Sequence, residues 1–134
     1  WSAECPWVER ADRELMDYLS RWGERVALLP IASNANESRE LLARVAAKRG
    51  LPLVLHDAEQ KVAELFQVEV TPCFFVIDGE GVLRYRGAFD DVTFRQRTPT
   101  RKHLFEAVEA VLAGKSPEPA ETPPYGCARV RTLL

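Results

Sequence analysis

The sequence predicts an α/β domain, a mixed β-sheet flanked by helices on both faces. Three observations carry this: segments of helical apolar spacing alternate with short apolar runs, the order opens with a crossover, and it closes with an antiparallel hairpin and one more helix. At 134 residues, 46% hydrophobic and 28% charged, the chain suits one core of ordinary size.

After Cys5 and Pro6, the residues Val8, Ala11, Leu15, Tyr18, Leu19 and Trp22 recur at helical spacing, with Gly23 as a stop. Proline fits the first helical position, where no amide hydrogen is needed, so the helix should begin at Cys5 itself. Residues 26–32 form an apolar run broken only by Pro30 and read as a buried strand. A second helix is expected over 37–49, on Leu41, Leu42, Val45 and Ala46, closed by Gly50; a short extended segment then runs to Leu55. Asp57 and Gln60 resemble the halves of a capping box opening a short helix with Val62, Ala63, Leu65 and Phe66. Beyond Thr71 and Pro72, residues 73–77 and 82–87 are two strand runs joined by the turn chemistry of 78–81, a hairpin. A polar loop over 88–99 leads to a last helix, 100–113, with Leu104, Ala107, Val108, Val111 and Leu112 on its apolar face.

This places a domain over residues 1–114 and a Pro-rich tail over 115–134, in which Pro117, Pro119, Pro123 and Pro124 impose extended backbone up to Gly126 and Cys127. Nothing precedes the first helix to supply the strand that should feed it. The fold is therefore expected to be lacking or truncated in its N-terminal strand.

Eighteen basic and 20 acidic residues are interleaved to a net charge of −2, so no basic stripe for nucleic acid is built. The apolar stretches fall far short of the ~20 residues that span a bilayer, and no basic-then-apolar leader opens the chain. A soluble chain without a membrane-spanning segment is expected. Cys5, Cys73 and Cys127 are too few and too widely spaced for a disulfide scaffold or paired zinc knuckles, and they leave the compartment open between cytoplasmic and periplasmic or exported. His56 and His103 are lone histidines, and no metal or organic cofactor is required.

Cys5 draws attention because a thiol at a helix N-terminus feels the partial positive charge of unpaired amides, which lowers its pKa toward the reactive thiolate. Ser2 could donate a hydrogen bond to that thiolate, while Glu4 places opposing charge nearby. Cys73, on a core strand, fits packing and could pair with Cys5 only if it faces the turn. Cys127, in a flexible tail able to fold back, has what a resolving cysteine needs. Trp1 is a candidate for the rim of a substrate groove.

The run Trp1-Ser2-Ala3-Glu4-Cys5-Pro6 resembles the active-site turn of the thioredoxin superfamily. Against thioredoxins, Ser2 stands where the attacking cysteine belongs and Cys5 where the resolving one does. Against peroxiredoxins, Ser2 and Cys5 both match the Thr/Ser-x-x-Cys pattern. Val70-Thr71-Pro72 resembles the cis-proline turn that faces the active cysteine in such proteins. Residues 75–81 and the helix near 37–49 resemble those of redoxins of the alkyl-hydroperoxide-reductase type and of membrane-anchored or periplasmic thiol-disulfide oxidoreductases, and Tyr85-Arg86-Gly87, Asp90-Asp91 and the tail ending in Gly126-Cys127 are similar to a subgroup of redoxin-domain proteins. Two departures stand out: Thr71-Pro72 occupies the place of a peroxiredoxin's arginine, and the turn holds one cysteine rather than two.

The resemblance implies a thioredoxin-like fold and a thiol-dependent oxidoreductase. In it Cys5 attacks a protein disulfide or a hydroperoxide, Ser2 assists, Cys127 or Cys73 resolves the intermediate, and a thiol donor supplies electrons. Trp1, Pro6, Thr71 and Pro72 would hold the substrate. The alternative is a catalytically silent module of the same fold that binds an extended peptide or a partner protein.

Overall fold

A computed structural model describes residues 1–132. The chain divides into two compact units, Trp1–Thr71 together with Gly126–Leu134, and Pro72–Tyr125. The division thus falls inside the expected 1–114 domain rather than at its end. The Pro-rich segment is no free tail, since its strand-forming stretches pair back into the units.

In the first unit, helix α1 (Pro6–Trp22) begins one residue after Cys5 and ends at Gly23, whose φ of +58° closes the last turn by donating its N–H to the Leu19 carbonyl. Its buried stripe is Val8, Ala11, Asp12, Leu15, Tyr18 and Trp22. The apolar members follow the sequence pattern; Asp12 does not. The expected long strand over 26–32 contracts to β1 (Ile31–Ala32), and Leu29 is 61% exposed. Helix α2 (Arg39–Lys48) starts later than expected because the Ser38 hydroxyl caps it by accepting the Leu41 N–H, which leaves Glu37 outside the helix and free for another task. Strand β2 (Leu55–His56) pairs parallel with β1, so β1, α2 and β2 form a crossover unit.

Helix α3 (Lys61–Leu65) is not opened by a capping box. Asp57 caps it from farther away, accepting the Val62 and Ala63 amides at 3.2 and 2.9 Å, while Gln60 adopts φ +61° and turns its amide to Thr132. Strand β3 (Val70–Thr71) pairs antiparallel with β6 (Cys127–Ala128), in the register Val70 to Ala128 and Thr71 to Cys127. A small cluster of Ala3, Ala32 and Leu42, with Trp1, Leu41, Val45 and Val54 packed on it, ties the N-terminal turn to the crossover unit.

The second unit is the hairpin β4 (Phe74–Ile77) and β5 (Leu83–Gly87), on which helix α4 (His103–Leu112) packs. Leu104, Ala107 and Val108 are buried as expected, and Leu112 stays at the surface. Arg86 exchanges backbone hydrogen bonds with Ala120 and Thr122, so residues 120–122 lie along β5. Cys73 precedes β4 rather than lying in it.

Among the described residues the strands form three two-stranded pairings and not one continuous mixed sheet. Pro30 and Pro72 each remove an amide donor at the approach to a strand, which keeps the ladders short. The peptide bond before Pro72 is also not the cis bond that the resemblance implies; among the described residues the cis bond is Glu118–Pro119. No helix among the described residues is long and apolar enough to cross a membrane.

Candidate functional site

The first unit joins the two ends of the sequence through sulfur. Cys5 is the N-cap of α1, with extended backbone (φ −97°, ψ 118°), and its carbonyl accepts the Val8 and Glu9 amides at 3.1 Å each. Pro6 follows at the first helical position, exposed, as its missing amide hydrogen allows. Strand β6 sets Cys127 opposite Thr71, and Cys5 and Cys127 form a disulfide closing a sequence separation of 122, their Cα atoms 6.2 Å apart. The Sγ of Cys5 lies 3.5 Å from the Thr71 carbonyl oxygen.

The two cysteines differ in access. Cys5 is 3% exposed, whereas Cys127 is only half-buried. Cys127 is therefore the more accessible side of the disulfide. Cys73 is a free, half-buried thiol of the second unit, so it is not the partner of Cys5 here; burial pushes its pKa up, opposed by the Arg86 guanidinium.

The turn ahead of Cys5 is clamped from two sides. The Ser2 hydroxyl, 2% exposed, donates to Glu37 Oε2 at 2.8 Å, and the Glu4 amide donates to the same oxygen at 2.9 Å. Ser2 therefore serves the turn rather than the sulfur. From the other side, Arg49 donates to the Ser2 carbonyl (3.2 Å), the Ala3 carbonyl (2.7 Å) and Asp12 Oδ2 (3.1 Å). Trp1 does not stand free at a groove rim: its indole N–H donates to Asp12 Oδ2 at 2.8 Å and its ring lies under the Arg49 guanidinium, 5.2 Å away. Burial raises the pKa of Asp12, while the bonds from Trp1 and Arg49 pull it back down.

Cys127 is held as firmly. The Arg129 guanidinium, its side chain 2% exposed, donates to the Val68 carbonyl at 2.7 Å and to Glu64 Oε1 at 2.6 Å. Arg131 adds contacts to Glu64 and Glu69, and Val130 exchanges hydrogen bonds with Asn34 and Ala35. In the segment expected to be a flexible tail, Cys127 and Ala128 form strand β6 and pair with β3. Because β6 already pairs with Thr71, that residue's backbone is engaged by the chain itself rather than open to a substrate. Three buried polar atoms of this unit have no hydrogen-bond partner among the described residues: Glu37 Oε1, Thr71 Oγ1 and Arg129 Nη1.

Sequence reasoning singled out Cys5, Ser2 and Cys127 but missed Asp12, Glu37, Arg49 and Arg129. One signal was present: an aspartate on the apolar stripe of α1.

No protein family model and no curated protein matches the chain. Solved structures do match, two of them proteins of uncharacterised function. A hypothetical protein from Sinorhizobium meliloti 1021 is 31% identical, with a TM-score of 0.88 over 99% of this chain and 77% of that one. An uncharacterized conserved protein from Geobacillus kaustophilus is 27% identical, with a TM-score of 0.87 over 98% of this chain and 74% of that one.

Proposed function

The chain belongs to the family of the Sinorhizobium meliloti protein, and we propose that it is a thioredoxin-like redoxin whose Cys5–Cys127 pair performs thiol–disulfide exchange. The observation that carries the reading is this disulfide: it places one sulfur at the N-terminus of a 17-residue helix and the other on a more accessible strand. A donor thiolate attacks Cys127, the S–S bond breaks, and its electron pair leaves on Cys5, where the helix terminus favours the anion. A second donor thiol then attacks the mixed disulfide at the donor's sulfur. The donor pair ends as a disulfide, and Cys5 and Cys127 end as thiols after taking up two protons.

The reduced pair can pass these electrons to a protein disulfide by the reverse exchange. With a hydroperoxide, the Cys5 thiolate takes the terminal oxygen to become a sulfenic acid and releases an alcohol; the Cys127 thiol condenses with it, restoring the disulfide and releasing water. Neither route needs a second cysteine in the turn, which accommodates Ser2.

A specific observation favours a second reading, the catalytically silent module stapled by its disulfide: Cys5 is nearly inaccessible and β6 is held independently of the bond. Reduction potential separates the two, since structural disulfides lie below about −300 mV and exchange-active ones above it. The experiment equilibrates the chain with dithiothreitol and glutathione buffers and follows insulin reduction and peroxide consumption for wild type, Cys5→Ser and Cys127→Ser. A potential above that limit, with turnover lost in both variants, is expected. A deeper potential with no turnover leaves the stapled binding module.

A further inference from the structure

Away from the disulfide, the first unit carries a cavity of about 480 Å³ that the exchange does not use, a size that holds small molecules. Two helical stripes wall it. Glu9, Asp12, Arg13 and Met16 follow one another at spacings of three, one and three on α1, so they share one face. Val45, Lys48 and Arg49 do the same at the end of α2. Ala3 completes the lining, to which neither Cys5 nor Cys127 belongs.

The charges divide into a matched pair and an unmatched set. Arg49 and Asp12 answer each other at 3.1 Å, and both bonds to Asp12, from Arg49 and from Trp1, fall on Oδ2. Arg13 and Lys48 are exposed and have no ion-pair partner among the described residues. Glu9 opposes them, yet three cations still face two carboxylates, and the lining keeps a surplus of one positive charge. A guanidinium carries five N–H groups, and Arg49 spends three, on the Ser2 and Ala3 carbonyls and on Asp12. Two donors remain on a side chain that lines the cavity. Ala3, Met16 and Val45 set apolar surface beside them.

We propose that this cavity binds a small organic monoanion, a carboxylate on a short apolar chain, with its head at Arg13, Lys48 and Arg49 and its chain on Met16 and Val45. A surplus of one charge is answered by one carboxylate. A cation is repelled by that surplus, and a neutral chain leaves it unanswered. A free short-chain acid and the C-terminus of an apolar peptide share this chemistry. The proposal is independent of the exchange reading, because binding needs no change at sulfur.

Isothermal titration calorimetry of the oxidised chain at low salt, with hexanoate and with N-acetyl-leucyl-leucine as probes, tests it. At least one should saturate a single site below about 5 mM, and the tighter of the two names the source of the carboxylate. Hexylamine and hexanol, which lack the anion, and acetate, which lacks the chain, should bind at least about tenfold more weakly. Arg13→Gln and Lys48→Gln, at exposed positions that leave the fold intact, should each weaken binding about threefold, and the double variant about tenfold. Lys61→Gln, which removes an exposed cation of α3, should stay within about twofold of wild type. No saturation by either probe, equal binding of hexylamine or acetate, or a double variant within about twofold of wild type would overturn the site.

Discussion

The Ser2 hydroxyl and the Glu37 carboxylate meet at 2.8 Å across 35 residues of sequence, both buried, and the same carboxylate oxygen takes the Glu4 amide. Glu37 is therefore the fixed point from which the turn before Cys5 hangs. Removing it leaves the buried Ser2 hydroxyl without its acceptor.

Glu37→Ala should destabilise the fold by about 1–3 kcal/mol for the unpaired hydroxyl, and Glu37→Gln, which keeps an acceptor, by less. Urea unfolding of the oxidised chain measures both. Equal losses for the two variants would mean that packing, not the acceptor oxygen, sets the contribution.

Arg49 and Asp12 form an ion pair at 3.1 Å with side chains only 13% and 7% exposed. Breaking such a pair from one side leaves an uncompensated buried charge, and Arg49→Met should cost about 3–5 kcal/mol near neutral pH. The pH dependence has a definite sign. Burial holds the folded-state pKa of Asp12 above its usual value of 3.8, so the native state binds this proton more tightly than the unfolded chain does. That contribution is present below pH 3.8 and is lost as pH rises through the folded pKa. Without Arg49 the loss is larger, so the gap between wild type and Arg49→Met should be wider in urea at pH 7.5 than at pH 4.5. Adding Asp12→Asn should close most of it at pH 7.5.

These clamps show where sequence reading stops. Helix α1 was legible from residues close together along the chain: proline at its first position, an apolar face of period 3.6, and glycine at its end. The hairpin was legible from the turn chemistry of residues 78–81. The two-residue strands were not, because apolar runs over 26–32 and 51–55 look alike whether or not they find a ladder partner. Nor were Glu37, Arg49 and Arg129 marked by any period: their partners lie 33 to 65 residues away and are selected by tertiary folding. Asp12 alone left a trace, a charge on an otherwise apolar stripe. The cysteine pairing sat between these extremes, since the sequence could name the candidates and only the fold could bring Cys127 to Cys5.

Arg129 anchors β6 through Val68 and Glu64, contacts that do not involve the sulfurs, and so should set how readily the sulfurs rejoin once separated. In Arg129→Met the effective concentration of Cys127 at Cys5, read from a glutathione equilibrium, should fall at least tenfold, because a strand freed from Val68 and Glu64 samples more of its own motion. Arg131→Ala removes exposed ion pairs to the same strap and should change it less than twofold. Comparable effects from both would assign the strap to diffuse charge rather than to the buried guanidinium.

In the second unit, a buried knot adds to the Arg86 backbone bonds that hold residues 120–122 against β5. Tyr85 donates to the Ala88 carbonyl at 2.7 Å, its oxygen meets the Thr122 hydroxyl, and Thr122 accepts the Ala88 amide at 2.9 Å. Gly87 makes the approach possible: its φ is +145°, and a Cβ there would run into the backbone and hydroxyl of Thr122. Gly87→Ala should therefore be among the more damaging small substitutions, lowering stability by about 2 kcal/mol or more. The knot also predicts an alkaline slope. Burial pushes the Tyr85 phenol up to about 12, against 10 when unfolded, so its contribution is complete below pH 10 and is lost as pH rises toward 12. Tyr85→Phe has no such proton to lose, so the stability gap between it and wild type should narrow between pH 9 and 11.5 in urea unfolding. A gap constant over that range would show that the phenol titrates equally in the folded and unfolded chains, and that the knot does not hold its proton.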